Sequence, residues 1–558
     1  MPARGTRLPL LGPCFHLQND IEPVERRGVG GSSRLRFTHR GNLFLRRRDL
    51  VTGTAALSAL GSPLLGGLVR PAAAADAPLP PPTGAFTEDT VRQIARQMAR
   101  SGYRAPRQDL PTQVDKLTFD QYRSITYRAD RALWHGDNLF FDVEFFPRGF
   151  LYRPRIDIYE VRDGQSAPVA YNPDLFEYGD QQLRVTDDLG FAGLRLRAPI
   201  NAPGQMEEFC VFLGASYFRA VAKGQNYGLS ARGFADGTGD PRGEEFALFR
   251  AFWLEKPQPG VASVVIHALL DSPSVTGAFR FTIRPGDMTV FDVQSYLYPR
   301  TTISESGVAP LTGMFYFDRN DHSRVDDWRP AAHDSEGLQI WTGGGQQLWR
   351  PLVNPVDVRF SAFSDTAPRG FGLMQRKRSF HDFEDLALNY EKRPSLWIEP
   401  IGDWGPGSVD LVEIPTPNEV NDNIVSFWRP KDGLRPGQEY PFTYRMFWGW
   451  DTPEPTPLAR IGATYVGSVT DDKAARFFAI DFSGGSLASK PADTHFHLIP
   501  HASAGTIRNV VVEPNPSIQG WRSTFEFVPG DAKAADLQCV LADDSGPVSE
   551  QWVYRWNA

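Results

Sequence analysis

The spacing of apolar side chains is helical only near the start of the chain. After a cap at Thr87 or Asp89, apolar residues recur at intervals of three and four, which predicts an amphipathic helix. A second, shorter helical segment is predicted after Thr118. The apolar face of the first helix consists of Val91, Ile94, Ala95 and Met98.

Beyond this region, apolar and polar residues alternate, which is the period of a β-strand with one buried face. Phe279–Ile283 and Val290–Val293 show this alternation on either side of Pro285-Gly286-Asp287. Turn residues between two alternating runs predict a β-hairpin.

Similar short runs recur to the C-terminus without a regular alternation of strands and helices. This organisation favours large antiparallel β-sandwiches over a parallel α/β sheet. A polar stretch rich in Pro and Gly, Arg429–Gly437, follows the apolar run Ile424–Trp428 and predicts a domain boundary. We therefore expect a mostly β protein, with a large sandwich at residues 80–428 and a smaller immunoglobulin-like sandwich at residues 437–558.

The first 75 residues have the features of an export signal. Arg46–Arg48 precede an apolar stretch, Leu50–Val69, which glycines and a proline interrupt and which the small residues Ala73–Ala75 follow. Such a stretch predicts a removable signal instead of a membrane anchor, and the paired arginines indicate the twin-arginine route. We expect a mature protein that starts near Asp76 and lies in the periplasm, with an upstream extension before Arg46.

Charge and cysteine content narrow the class of protein. The formal net charge is −7, and the eleven arginines and four acids of residues 1–75 leave about −14 for the mature protein. A protein this acidic is not expected to bind nucleic acid or an anionic membrane surface. Cys210 and Cys539 remain after processing, which predicts two buried free thiols, with a bridge between domains as the alternative.

Acidic and aromatic residues are prominent between Asp318 and Trp428. Sugars stack on aromatic rings and glycosidic cleavage needs carboxyl groups, so this combination is typical of a carbohydrate site. Both residue types are nevertheless abundant throughout the chain. Three segments have the character of loops at strand ends, where functional residues usually lie: His333–Glu336, Asp382–Pro394 and Glu419–Asn423.

A second candidate site lies near the C-terminus. His495 and His497 share one face of a predicted strand, with Asp493 and His501 nearby, a combination that zinc can bind. Solvent-facing histidines on an edge strand are commoner than metal sites, so we expect no metal and no cofactor. The sequence also lacks a G-x-S-x-G elbow, a phosphate loop and a dinucleotide-binding glycine motif, which argues against serine hydrolases and nucleotide-dependent enzymes.

Several longer motifs are specific to one family and together cover essentially the whole mature chain. They are Leu133–His135, Asp188–Gly193, Phe212–Ala220, Tyr227–Gly233, Arg393–Pro400 and Asn421–Ile424. These motifs resemble those of the periplasmic glucan biosynthesis proteins G and D. The twin-arginine signal is similar to that of the D branch, since the G branch usually carries an ordinary secretory signal.

The resemblance implies a large N-terminal β-sandwich of the galactose mutarotase kind, joined to an immunoglobulin-like domain. It also implies a role in making osmoregulated periplasmic glucans, whose backbone is β-1,2-linked glucose. The family includes endo-acting β-1,2-glucanases that invert the anomeric carbon, and similar enzymes that transfer to a sugar instead of water. The alternative is a non-catalytic glucan-binding or assembly factor beside a membrane glucosyltransferase. The expected partner is β-1,2-glucan, and a second copy of the chain is a further candidate.

The resemblance also implies roles for individual residues. Asp422 matches the family's general acid, and Asp334 matches its base. The acid must be protonated to donate to the leaving oxygen, whereas the base must be ionised to accept a proton from water. These groups are usually about 6.5–9.5 Å apart in inverting enzymes, and the family's longer proton relay permits a wider gap. The resemblance implies that four further residues bind or orient glucose units, and a structural role is the alternative for each. They are Asp385, Tyr390, Arg393 and Glu419.

Overall fold

A computed structural model describes residues 84–179, 183, 185–485, 487, 490–491 and 494–558. The export signal, the cleavage site and the upstream extension predicted within residues 1–75 lie outside these residues, and so does Asp493. The residues that are described belong to a single unit.

The α-helices of the described residues are short and lie between residues 90 and 123, ahead of all strands except the first, Gly84–Ala85. α1 spans Thr90–Ala99 and buries Val91, Ile94 and Ala95, which confirms the predicted helix and its apolar face. α2 spans Thr112–Asp115 and α3 spans Phe119–Arg123. α3 follows Thr118, whose side chain accepts a hydrogen bond from the Gln121 backbone N–H while the Gln121 side chain accepts one from Thr118, so the second predicted helix is confirmed with its cap.

Strands dominate the described residues. β1 to β11 are Gly84–Ala85, Thr126–Tyr127, Asp142–Pro147, Asp157–Arg162, Gln165–Pro168, Phe176–Glu177, Phe191–Ala198, Glu207–Leu213, Tyr217–Ala220, Ser230–Arg232 and Ala235–Asp236. β12 to β22 are Leu248–Glu255, Val264–Asp271, Val275–Arg284, Thr289–Pro299, Ser306–Gly313, Phe315–Phe317, Ala332–His333, Gly337–Trp341, Gln347–Pro351, Arg359–Thr366 and Gly370–Met374. β23 to β34 are Ser395–Ile401, Pro406–Glu413, Ile424–Pro430, Tyr440–Gly449, Arg460–Ser468, Arg476–Ser483, His497–Ala502, Thr506–Asn515, Gly520–Val528, Ala534–Asp543, Gly546–Pro547 and Gln551–Asn557.

Two large sheets face each other in the first sandwich. One has the order β1-β5-β4-β12-β13-β14-β15-β26-β23-β22-β19-β20-β34-β32-β29, and the other has the order β21-β24-β25-β16-β10-β9-β8-β7-β3. Aromatic rings join them: Phe281 of β14 lies 5.4 Å from Phe212 of β8 and 5.3 Å from Phe218 of β9, between ring centroids. Burying a side chain of this size contributes about 1.5–3 kcal/mol, so this aromatic layer is a main source of stability.

A second core lies at the other end of the long sheet. A four-stranded sheet of order β27-β28-β31-β30 packs there, and the ring of Phe478 in β28 lies 5.7 Å from that of Trp552 in β34. The mostly β, sandwich-like fold predicted from the sequence is therefore confirmed. The immunoglobulin-like and mutarotase-like labels remain predictions.

β26 lies on the far side of the predicted boundary at residue 437 but inside the long sheet. It pairs with β15 on one side and β23 on the other, so the sheet of the first sandwich extends at least to Gly449.

The predicted hairpin is confirmed, because β14 and β15 pair as adjacent antiparallel strands. Cys210 and Cys539 are both buried free thiols, as predicted.

Candidate active site

The two candidate catalytic carboxylates lie on loops that contact the same backbone segment. Asp334 directly follows β18, and a single residue, Asn423, separates Asp422 from β25, so both lie at strand ends as predicted. Met314 donates its backbone N–H to Asp334 Oδ2 at 3.3 Å, and Asn423 donates its own to the Gly313 carbonyl at 3.0 Å. Both carboxylates are buried. The last residue of β16 and the residue after it therefore connect the two loops.

Asn423 fixes the loop that carries Asp422. Its side-chain oxygen accepts a hydrogen bond from the Phe315 backbone at 2.8 Å, and its side-chain nitrogen donates to the Ile414 carbonyl at 3.0 Å. These contacts tie both ends of the loop to neighbouring backbone. The position of Asp422 is thus set by main-chain structure on either side of it.

Arg393 pairs with Asp334 in the protein interior. Its Nη1 donates to Asp334 Oδ1, and its guanidinium carbon lies 4.0 Å from the centroid of the Tyr390 ring. Burial disfavours the charged guanidinium, but Asp334 and Tyr390 outweigh this effect and raise the pKa of Arg393. Gly228 makes room for this side chain, since a Cβ at that position would lie 2.8 Å from the Arg393 Cβ. Arg393 and the Met314 N–H thus contact one oxygen each of the Asp334 carboxylate.

Tyr390 links Arg393 to the Asp422 loop. Its hydroxyl donates a hydrogen bond to Glu419 Oε2 at 3.0 Å. Burial raises the pKa of Tyr390. The phenol therefore stays protonated at neutral pH and keeps its donor role.

Arg329 connects three loops and was not predicted from the sequence. Its Nη1 lies 2.6 Å from Glu419 Oε2 and 2.9 Å from Asp385 Oδ2, and its Nη2 lies 2.8 Å from Asp327 Oδ2. We call these four residues the Arg329 cluster. The other oxygen of Asp385 accepts the backbone N–H groups of residues 387 and 388, so protein groups occupy both oxygens. This favours the structural alternative for Asp385.

A second buried charge network lies behind Asp334. Lys377 forms an ion pair with Asp318, and the Nε2 of His333 lies 3.7 Å from Asp318 Oδ2. Burial alone would raise the pKa of Asp318, but Lys377 and His333 lower it well below its usual range. The His333 ring stacks on Phe315 with centroids 5.5 Å apart. This packing fixes the residue that precedes Asp334.

Five of the six predicted site residues form one chain of contacts, which runs from Asp334 through Arg393, Tyr390 and Glu419 to the Arg329 cluster. Asp422 lies on the same loop as Glu419, and its neighbour Asn423 bonds the backbone of residues 313 and 315, on either side of the Met314 N–H that Asp334 accepts. In the sequence, Arg329 is only an arginine between Trp328 and Pro330, and no local pattern predicts its role.

The described residues cover the second candidate site only in part. Within the described part of the chain, no group of three or more His, Cys, Asp or Glu side chains could hold a metal ion. His495 lies just before β29 and His497 is the first residue of that strand, whereas Asp493 lies outside the described residues. In the same part of the chain, none of the helices has the length and apolar character required to cross a membrane.

Comparison with known proteins identifies the family. Residues 86–556 match the periplasmic glucan biosynthesis protein family MdoG, and the chain belongs to this family. It is 49% identical over 513 residues to the glucans biosynthesis protein G of Rhodopseudomonas palustris, covering 92% of this chain and 100% of the relative. The Bradyrhizobium diazoefficiens protein of the same name is 48% identical with the same coverage. The Vibrio cholerae protein G is 46% identical over 480 residues, which are 85% of this chain and 87% of the relative.

The family confirms the predicted relationship to periplasmic glucan biosynthesis proteins. All three relatives carry the name protein G, whereas the paired arginines favour the D branch. The branch therefore remains a prediction.

Proposed function

We propose that the chain is an anomer-inverting endo-β-1,2-glucanase that acts on the glucan backbone, with Asp422 as general acid and Asp334 as base. The observation that supports this most is the pair of buried carboxylates whose loops meet at Gly313–Phe315, one of them paired with Arg393. Inverting hydrolysis needs one carboxyl group that donates a proton and one carboxylate that accepts one. The two loops supply a candidate for each role.

In this mechanism Asp422 donates its proton to the glycosidic oxygen as the bond between that oxygen and the anomeric carbon breaks. A water molecule attacks the anomeric carbon from the opposite face, and its proton passes to Asp334. Arg393 keeps Asp334 ionised before the attack. Tyr390 and Glu419 hold the geometry between the Asp334 and Asp422 loops.

The test is incubation of the purified mature protein with linear β-1,2-glucan, followed by chromatography of the products and NMR of the newly formed anomer. We expect shorter oligosaccharides of inverted configuration from the wild type and a loss of at least about 100-fold in Asp422→Asn, since general acid catalysis contributes about 10²–10⁴-fold. Asp287→Asn changes an exposed carboxylate of the β14–β15 turn and is the matched control. Equal activity in Asp422→Asn and the wild type contradicts the assignment.

The same experiment separates the alternatives. Cyclic or newly linked glucans among the products indicate a transglycosylase, which differs only in the acceptor. Glucan binding by calorimetry without any turnover indicates a non-catalytic binding or assembly factor that works with a membrane glucosyltransferase.

We also propose export by the twin-arginine route and membership of the D branch, supported by Arg46–Arg48 and the small residues Ala73–Ala75. Mass spectrometry of the mature N-terminus tests the cleavage before Asp76. Export that continues in a host without the twin-arginine translocase contradicts the proposed route and removes the basis for the D branch.

A further inference from the structure

Three large apolar side chains are exposed next to the Arg329 cluster. Leu386 is 82% exposed, Trp328 75% and Val420 51%. Each one is the immediate neighbour in sequence of a cluster member. Because Arg329 binds both other loops through ion pairs, the backbones that carry these side chains are held close to one another.

The backbone on both sides of Trp328 is held in place. Asp327 Oδ1 accepts the backbone N–H and the Nε–H of Arg329, both at 3.0 Å, so that Trp328 lies between two residues bonded to each other. The indole itself makes no hydrogen bond and no ring contact with any residue that the structure describes. A rigid backbone thus presents a free aromatic face to solvent.

Such exposure is unusual for a side chain of this type. Tryptophan buries up to about 250 Å² when it packs, and exposed apolar groups that lie together on a protein mark binding surfaces. The partly exposed carboxylates of Asp327 and Glu419 add polar groups beside these side chains. A flat apolar face beside hydrogen-bonding groups matches a pyranose ring, which has an apolar C–H face and a hydroxyl edge.

We propose that Trp328 stacks on a glucose unit of bound β-1,2-glucan, and that Leu386 and Val420 extend this apolar contact. This inference rests on the proposed function. It adds a sugar-binding surface next to the Arg329 cluster and gives Arg329 the role of holding that surface beside the loop of Asp422. The ion pair between Arg329 and Glu419 connects this surface to the Asp422 loop directly.

The test is calorimetric titration of the full mature chain with linear β-1,2-glucan, carried out in the Asp422→Asn background so that no substrate is consumed. Trp328→Ala is expected to weaken glucan binding about 3- to 10-fold, the loss expected for one aromatic contact. Trp328→Phe keeps an aromatic face and is expected to remain within about 2-fold of the parent. Phe360→Ala removes another exposed aromatic side chain, on β21, and is expected to bind glucan as the parent does.

Each outcome decides the question. If the parent binds glucan and Trp328→Ala binds it equally well, the stacking proposal is wrong while the proposed function stands. If the parent binds no β-1,2-glucan, both fail. A second copy of the chain could occupy the same surface, and analytical ultracentrifugation of the same variants tests this. A dimer that dissociates only in Trp328→Ala assigns the surface to the second copy and overturns the sugar contact.

Discussion

The Nη1 of Arg329 lies 2.6 Å from the Oε2 of Glu419, three residues before Asp422. The arginine is buried and the glutamate is partly exposed. Attraction between such charges is stronger than between two groups in water, because less solvent screens them. This ion pair therefore restrains the loop that carries the proposed acid.

The first prediction concerns this restraint. Replacing Arg329 by Gln removes its ion pairs with Asp385 and Glu419, and a hydrogen bond to a charged group contributes about 1.5–3 kcal/mol. We expect amide hydrogen exchange in residues 416–422 to accelerate at least about 10-fold, measured by mass spectrometry. Arg242→Gln, which removes the exposed pair with Asp240, should leave this segment unchanged. Unaltered exchange in Arg329→Gln would show that other contacts hold the loop.

The second prediction concerns the buried pair of Arg393 and Asp334. Arg393→Met leaves the Asp334 carboxylate buried and unbalanced, which should lower the free energy of unfolding by about 3–5 kcal/mol. Adding Asp334→Asn removes that charge, so the double variant should recover part of the loss. Urea unfolding measures both. As a control, Arg445→Met breaks the half-exposed pair with Asp292 and should cost less than about 1 kcal/mol. A double variant less stable than Arg393→Met would contradict this account.

The third prediction is a dependence of stability on pH. Hydrogen bonds from Arg92, Tyr298 and Arg96 lower the pKa of Glu439 to about 2, from an ordinary value of 4.5. Because the folded-state pKa is the lower one, this stabilisation is complete above pH 4.5 and is lost as the pH falls towards 2. Glu439 attaches α1 to the segment before β26, so its protonation should weaken that contact.

Glu439→Gln removes this titration. We expect the variant to be less stable than the wild type at pH 6 by on the order of 1–2 kcal/mol, after allowance for solvent screening. The difference should shrink by pH 3, and urea unfolding at both values measures it. Asp89→Asn, at an exposed partner of Arg92, is the control and should show little change. A difference that stays constant with pH would be inconsistent with a lowered pKa.

The fourth prediction concerns the two thiols. Burial raises the pKa of both Cys210 and Cys539, so neither is a reactive thiolate in the folded protein. The native mature protein should react with a thiol reagent orders of magnitude more slowly than the protein in denaturant, where two thiols per chain are expected. Rapid reaction of the native protein, or fewer than two thiols after unfolding, would count against two buried free cysteines.

Local sequence patterns correctly predict the elements that depend on residues close together in the sequence. The α1 face and the β14–β15 hairpin depend on residues within about ten positions, so periodicity and turn residues predict them. The place of β26 depends on pairing with β15, about 150 positions earlier. A Pro- and Gly-rich stretch such as Arg429–Gly437 marks a turn but does not show which sheet the next strand joins. The predicted boundary therefore precedes a strand of the first sandwich.

The site residues differ in the same way, because their contacts join positions that are far apart in sequence. Motifs pointed to Asp334 and Arg393 individually, but their ion pair joins positions 59 residues apart, and only the folded chain reveals it. Arg329 carries no local signal among the 59 basic residues of the chain. Its importance comes from the three loops that meet around it, which no spacing along the sequence encodes.

The last prediction tests the hydroxyl of Tyr390. Tyr390→Phe keeps the ring beneath the Arg393 guanidinium but removes the donor to Glu419. We expect the free energy of unfolding to fall by about 1.5–3 kcal/mol, since the lost bond is to a charged acceptor. If the hydroxyl also holds the Asp422 loop in place, kcat on β-1,2-glucan should fall about 10- to 100-fold, as misplacement of a catalytic group does.

The control for this change is Tyr122→Phe. Tyr122 is also a buried tyrosine, but its hydroxyl donates to the Pro147 carbonyl at 2.9 Å, away from the Arg329 cluster. It should lose about 0.5–1.5 kcal/mol of stability, the usual value for a neutral hydrogen bond, and keep its activity. If both variants lose stability and neither loses activity, the Tyr390 hydroxyl only stabilises the fold. Loss of activity in Tyr390→Phe alone assigns it the role of positioning Glu419 and the loop that follows.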